Sequence, residues 1–356
     1  MALYMMLLRR AKTSDLKYIY ALAKSSGYGL TTLPADKALL EKRIAWANQS
    51  FNKPVSEPDG EYYFFVLEDT ESGKVVGTSA IEASVGTDTP FYSYKLSKRT
   101  RVSHSLSVRK DYEVLSLVND MQGASEICTL FLDPEYRKNN NGLLLSRSRF
   151  LFMGNFPKRF SNYVIAEMRG VSDETGQSPF WNAVGSHFFN LSFAEADRLT
   201  ISTNKQFIAD LMPRNPIYVK LLCKEAQKTI GQPHQSTIPA MNILLKEGFR
   251  YNQYVDIFDA GPTIEAPRDE VRTITSSKVL TIKSISDQVS SQRFLISNTE
   301  LDFKSIICQV VFNEDQGTCI LSKKDAEILN VTSGDKVRVA PLKLHDQSIF
   351  SNESGE

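Results

Sequence analysis

The sequence predicts an α+β protein with two parts. A region of alternating strands and helices spans about residues 1–265. A small, mostly-β, barrel-like domain spans 266–345, and a polar tail covers 346–356. Three observations predict this. The first is the order of strand-like and helix-like runs up to residue 258. The second is the change after Gly261-Pro262 to short β-branched runs split by Ser, Asn, Asp and Gly. The third is size and composition: 356 residues, 42% apolar and 23% charged, suit two or three packed units and exclude wholesale disorder.

Met5 to Arg9 read as a first strand. Ser14 and Asp15 are helix caps ahead of an amphipathic helix, Leu16 to Ser25, and a second helix runs from about Ala35 to Asn48. YYFFVLE (62–68) is strand-like by its aromatic and β-branched content, and a turn at Ser72-Gly73 pairs it with 74–85 as a hairpin. KLSKRTR (95–101) is either an anion-binding patch or the solvated face of a hairpin, and the second reading is preferred. Ile127 to Leu132 is a short apolar strand. A polar turn then leads to a helix over Leu143 to Met153, a strand over Tyr163 to Met168, and a helix over SPFWNAVGSHFF, where Phe180 and Trp181 are assigned to the core. Helices follow at Asn204 to Met212, Lys220 to Ile230 and Ile238 to Glu247, the last with Gly248 as its C-cap, and then a strand over Tyr251 to Phe258. VRTIT, KVLTIKSI, RFLIS, FKSIICQVVF, GTCILS and the strand of SGDKVRVAPL read as β. One helix, Lys324 to Leu329, lies among them.

Lys+Arg 42 against Asp+Glu 41 gives a formal charge of +1, which argues against nucleic acid as a partner. The four cysteines are scattered, with no metal-ligand spacing, so neither zinc nor a disulfide framework is expected. The apolar N-terminal stretch precedes its arginines and is too short to span a membrane. The expected setting is cytoplasmic, with no membrane partner.

Dinucleotide, P-loop, zincin and serine-hydrolase signatures are absent. What remains is EICTLFLDPEYRKNNNGLLLSRSRF (126–150), a strand, a small-polar turn and a helix start. The free N–H groups of a helix start, with the helix dipole, form an anion site. Arg137 and Lys138 add positive charge beside it. Asn140, Asn141 and Gly142 are suited to the left-handed or tightly turned backbone that close approach needs.

The element order around this unit resembles a GNAT-type N-acyltransferase, a mixed sheet flanked by helices whose fourth strand and following helix hold an acyl-CoA. Arg137-Lys-Asn-Asn140-Asn-Gly142 stands at the family's loop, with Asn140 where a glycine is usual. The strings SSGYGLTTLPAD, VLEDTESGKVVGTSAIEASVG, VIAEMRGVSDETGQSPFW, FIADLMPRNPIY, EAQKTIGQPHQSTIPA and LLKEGFRYNQYVDIFDAGPTIEA occur in order. With them the chain resembles the arginine N-succinyltransferase family over most of residues 5–267, and more loosely beyond.

The resemblance implies transfer of succinyl from succinyl-CoA, as co-substrate, to the α-amine of L-arginine, with no permanently bound cofactor and no metal. It implies His234 as proton donor, although Pro233 and Gln235 differ from the usual surroundings, and Leu130 as a succinyl-CoA contact. Gly29, Leu30, Thr31 and Thr32 would line the acceptor site. Glu167, a charge in an apolar strand, is either an acceptor ligand or assistant to the amine, or a structural ion-pair partner. A homo-oligomer, a dimer, is expected. The alternatives are ornithine or another amine as acceptor, another acyl-CoA as donor, or a non-catalytic subunit of a heteromer.

Overall fold

The computed structural model describes residues 5–27, 30–173, 176–189, 191–192, 195–196, 199, 211–287, 292–313 and 315–343. Among the described residues, sixteen strands form one mixed sheet: β1 Met6–Arg10, β2 Tyr62–Asp69, β3 Lys74–Glu82, β4 Ser93–Ser103, β5 Val108–Val118, β6 Ser125–Leu132, β7 Tyr163–Glu167, β8 Ile217–Tyr218, β9 Arg250–Val255, β10 Pro262–Pro267, β11 Lys278–Ile285, β12 Arg293–Asn298, β13 Lys304–Gln309, β14 Val311–Asn313, β15 Thr318–Leu321 and β16 Lys336–Pro341. Their order is β14-β15-β11-β16-β12-β13-β1-β2-β3-β6-β7-β10-β9-β4-β5-β8. Among the described residues, the helices are α1 Leu16–Ser25, α2 Lys37–Asn52, α3 Asn141–Asn155, α4 Pro179–Ala183, α5 Ser186–Phe189, α6 Lys224–Thr229, α7 Ile238–Glu247, α8 Arg272–Thr275 and α9 Lys323–Leu329. The expected α+β class, a mixed sheet flanked by helices, is what the chain adopts.

Local chemistry sets these boundaries. Asp36 caps α2 by accepting from the Leu39 N–H, and Gly248, at φ 106°, ends α7 in the left-handed conformation. β2, between β1 and β3, is buried on both faces, and on one of them Phe65 packs against Phe51 of α2 and Phe152 of α3. Phe51, Tyr63, Phe65, Phe152 and Phe303 interlock with ring centroids 5.1–5.7 Å apart, joining α2, β2, α3 and the segment before β13. Phe180 and Trp181 are fully buried in a separate cluster beside β4, as assigned. KLSKRTR forms the exposed part of β4 in the β4–β5 hairpin.

Several expectations are corrected. VRTIT is not a strand: residues 272–275 turn as α8, held because Glu247 accepts from the Thr273 N–H and hydroxyl at 2.7 and 2.8 Å. SPFWNAVGSHFF breaks into α4 and α5 at Val184-Gly185, where any Cβ on Gly185 would overlap the Trp181 ring. FKSIICQVVF divides into β13 and β14. The barrel-like C-terminal part is an open ladder: β14 pairs only with β15, and β13 continues onto β1. Asn204 to Asp210 and the tail from residue 344 lie outside the described residues.

Candidate active site

β6 and β7 run parallel but pair at only two registers, Ser125↔Val164 and Glu126↔Ile165. Beyond them the two strands share no ladder, so the β7-facing backbone of the second half of β6 is free of β7. A cleft of about 760 Å³ opens there. Its walls are β6 from Glu126 to Leu132, the start of α3, the segment Ala166–Arg169, the α1–α2 loop at 30–32, and the segment from His234 through α7.

One wall carries a strained residue. Cys128 pairs with Ala80 and Phe131 with Thr78, so Thr129 and Leu130 together oppose Ser79 as a β-bulge. Thr129 takes φ 56°, a region β-branched residues avoid. Its surroundings over-determine that geometry. The Thr129 N–H donates to Thr32 Oγ1 at 3.1 Å, its carbonyl accepts from the Thr78 hydroxyl at 2.9 Å, and its hydroxyl meets that of buried Tyr62 at 2.9 Å. Arg43 donates to the carbonyls of Thr31 and Thr32, fixing the loop from its other side.

The α3 end is cationic and open. Asn139 and Asn140 are both left-handed, at φ 53° and 65°. Leu144 N–H returns to Asn140 O, and among the described residues no acceptor meets the N–H of Gly142 or Leu143. Arg137 is anchored by Nε to Leu132 O at 3.1 Å, and both Arg137 and Lys138 are exposed at the rim. The tight turn was expected to use Asn140, Asn141 and Gly142 together. Asn140 alone of the three is left-handed. Asn141 instead bonds the Tyr136 carbonyl from within α3. Gly142 is helical, and a Cβ there would meet nothing within 4 Å.

His234 also lines the cleft. Its N–H donates to Arg169 O at 2.8 Å, and Pro233 bridges Gly170, tying this loop to the end of β7. The Ser236 N–H donates to His234 Nδ1 at 3.2 Å, and the Ser236 hydroxyl lies 2.7 Å from the same atom. A backbone N–H can only donate, so Nδ1 is the lone-pair side and Nε2 carries the proton; this tautomer is inferred from the bonds. Burial, then the charge of Arg169, lowers the imidazole pKa below 6.5. Glu167, Asp256 and Asp259 also line the cleft. Asp259 accepts from the Gly170 and Gly261 N–H groups, and burial beside Asp256 raises its pKa. A Cβ on Gly261 would fall 2.1 Å from Met168 O, so this crossing requires glycine.

The cleft therefore brings together His234, Glu167, Leu130, Arg137, Lys138, Asn140, Asn141, Gly142, Leu30, Thr31 and Thr32 from four distant stretches. Gly29 lies outside the described residues. Tyr62, Arg43, Ser236, Arg149 and the Asp256–Asp259 pair escaped sequence reasoning, since no local pattern marks them. Among the described residues, no group of three or more His, Cys, Asp and Glu could hold a metal ion, and no helix is long and apolar enough to cross a membrane.

Residues 6–273 match the family described as "Arginine N-succinyltransferase beta subunit", and residues 278–341 match its C-terminal domain. The chain belongs to the arginine N-succinyltransferase family. It is 42% identical over 341 residues to a Photorhabdus laumondii protein named "Arginine N-succinyltransferase", covering 95% of this chain and 98% of that one. It is also 42% identical over 337 residues to "Arginine N-succinyltransferase subunit beta" of Pseudomonas aeruginosa, with the same coverage. Among solved structures, "arginine/ornithine succinyltransferase subunit AI" of Pseudomonas aeruginosa superposes with a TM-score of 0.87 at 37% identity, covering 96% of this chain and 99% of that one. The family likeness thus includes the C-terminal strands, where the sequence reading was looser.

Proposed function

We propose that this member of the arginine N-succinyltransferase family moves a succinyl group from succinyl-CoA to the α-amine of L-arginine and releases CoA. One observation carries the reading: a single cleft is lined by a cationic, open helix start and by His234, Glu167 and Asp256, in a chain 42% identical to proteins of that name. Arg137, Lys138 and the N–H groups of Gly142 and Leu143 hold a CoA phosphate. The pantetheine lies along the stretch of β6 that β7 leaves unpaired, with the thioester beside Thr129 and Leu130. The Leu130 N–H serves the oxyanion, the Thr129 N–H being bonded to Thr32.

The amine nitrogen attacks the thioester carbon, a tetrahedral adduct forms, and the C–S bond breaks as the amide forms. Nitrogen loses one proton and sulfur gains one. His234 takes nitrogen's proton at Nδ1, through water and the Ser236 hydroxyl, to become imidazolium, and then gives its Nε2 proton to sulfur and returns to the neutral form. Glu167 and Asp256 face the acceptor's cationic groups. Leu30, Thr31 and Thr32 line the acceptor side, with Gly29 beside them in sequence.

The test is thiol release from succinyl-CoA by the purified chain with arginine, ornithine or lysine. No release with any amine sinks the reading. Ornithine is a second acceptor to weigh, because the Pseudomonas structure's title names both amino acids; the kcat/KM ratio of arginine to ornithine decides between them. Two relatives are named as subunits, so the assay is run on this chain alone. Activity only after adding a second kind of chain would indicate a heteromer.

A further inference from the structure

The cleft contains a charged group that the reaction above leaves without a role. Arg149, two turns into α3, is 1% exposed yet lines the cleft. Its Nε donates to Ser146 O at 3.0 Å, its Nη2 to Ser146 Oγ at 3.1 Å and its Nη1 to Cys128 O at 3.4 Å. That uses three of five N–H groups and leaves one on each terminal nitrogen, the fork that fits a carboxylate. Arg147, the other buried arginine of the helix, is paired with Glu247 at 2.8 Å. Among the described residues, Arg149 has no carboxylate partner within ion-pair distance, and an unpaired buried cation is costly. Burial lowers its pKa to about 10, which leaves it charged at neutral pH.

We propose that Arg149 receives the distal carboxylate of the acyl donor and so selects a dicarboxylic acyl-CoA over a neutral one. This rests on the succinyl-transfer reading. Arg149 Nη1 touches the carbonyl of the residue just before the Thr129–Leu130 bulge, where that reading lays the thioester. In a succinyl group the carboxyl carbon stands three C–C bonds, each about 1.5 Å, from the thioester carbon. Arg149 Nη1 lies 3.4 Å from the carbonyl of Cys128, the residue next to that bulge. Ser146 and the Cys128 carbonyl hold the fork in place before the ligand arrives. Of the other cations, Arg43 is turned to the loop carbonyls, Arg137 and Lys138 lie exposed at the rim, and Arg169 donates to the Ser172 hydroxyl at 2.8 Å beside His234. A neutral four-carbon chain would fill the same space and leave the charge unmet.

The experiment compares succinyl-CoA with butyryl-CoA, its neutral counterpart, in wild type, Arg149→Met and Arg149→Lys, reading both kcat/KM and the Kd by calorimetry. The succinyl-to-butyryl ratio is expected to fall roughly 10²-fold in Arg149→Met. Arg149→Lys, which keeps the charge and loses the fork, should fall less. An equal loss with both donors would mean that the guanidinium only supports the Cys128 strand, and would overturn the proposal. If Arg149→Met does not fold, the lysine variant decides: an unchanged ratio overturns it. Binding separates this proposal from the functional reading. A wild type that transfers succinyl to no amine, yet binds succinyl-CoA more tightly than butyryl-CoA through Arg149, defeats the reading and keeps the site. Equal wild-type Kd values defeat the site.

Discussion

His234 acts by taking up a proton and passing it on. Removing it as His234→Ala is expected to lower kcat about 10²–10⁴-fold, with KM less affected, in the thiol-release assay. Its pKa is lowered by burial first and by Arg169 second, so the neutral imidazole prevails at and above pH 6.5 and protonation sets in only below. An NMR titration should place its midpoint below 6.5, and Arg169→Gln should move the midpoint upward. A midpoint unmoved by that change would show that Arg169 does not act on the ring. At Asn140, φ 65° with no side-chain cap predicts that Asn140→Gly is tolerated and stabilises by at most about 1 kcal/mol. Asn140→Gly should also tighten succinyl-CoA binding if the loop reading is right, and an unchanged or weaker Kd would count against that reading. Thr129→Ala leaves the Tyr62 hydroxyl, in a fully buried setting, without its Thr129 partner, and should cost about 1–3 kcal/mol in urea unfolding.

α3 serves two neighbours at once. Its first turn faces the cleft, while Arg147 reaches Glu247 of α7, the Thr273 hydroxyl of α8 and the carbonyls of Pro341 and Leu342. Arg147 and Glu247 are 1% and 0% exposed at the side chain, so Arg147→Met strands a buried carboxylate. Its expected cost is about 3–5 kcal/mol by denaturant titration, and the double variant Arg147→Met/Glu247→Leu should recover much of it. No recovery would show that the guanidinium's carbonyl bonds, rather than the pair, hold the helix.

For the molecule as a whole, the two family segments share one sheet. β13 pairs with β1, and Arg338 of β16 donates to the Gly154 carbonyl and the Asn155 side chain at the end of α3, each at 2.8 Å. A chain ending at residue 276 would expose β1 as an edge and strip these partners from α3. It should show no cooperative melt, and a sharp, independent transition would contradict that. Of the four thiols, Cys128, Cys308 and Cys319 are buried and Cys223 is exposed. A thiol reagent should therefore titrate one cysteine in the native protein and four after unfolding.

The sequence by itself determined the α+β class, α1, α7, the 126–153 strand–turn–helix unit and the family, because these rest on periodicity, caps and contiguous strings. It also marked His234, Leu130 and the 137–142 loop, although only the resemblance, not the residue pattern, selected His234. Other features depended on contacts between distant residues. VRTIT has strand-like composition, but Glu247 captures the Thr273 N–H and hydroxyl, and the segment turns as a helix. The C-terminal strands read as a closed unit, yet β1 offered an edge to extend. Thr129 is an ordinary strand residue until Thr32, Tyr62 and Thr78 converge on it. Arg149 reads as one more helical arginine until burial without a carboxylate makes its charge costly. Each of these outcomes is decided by which groups the fold removes from water together, and a linear pattern does not carry that information.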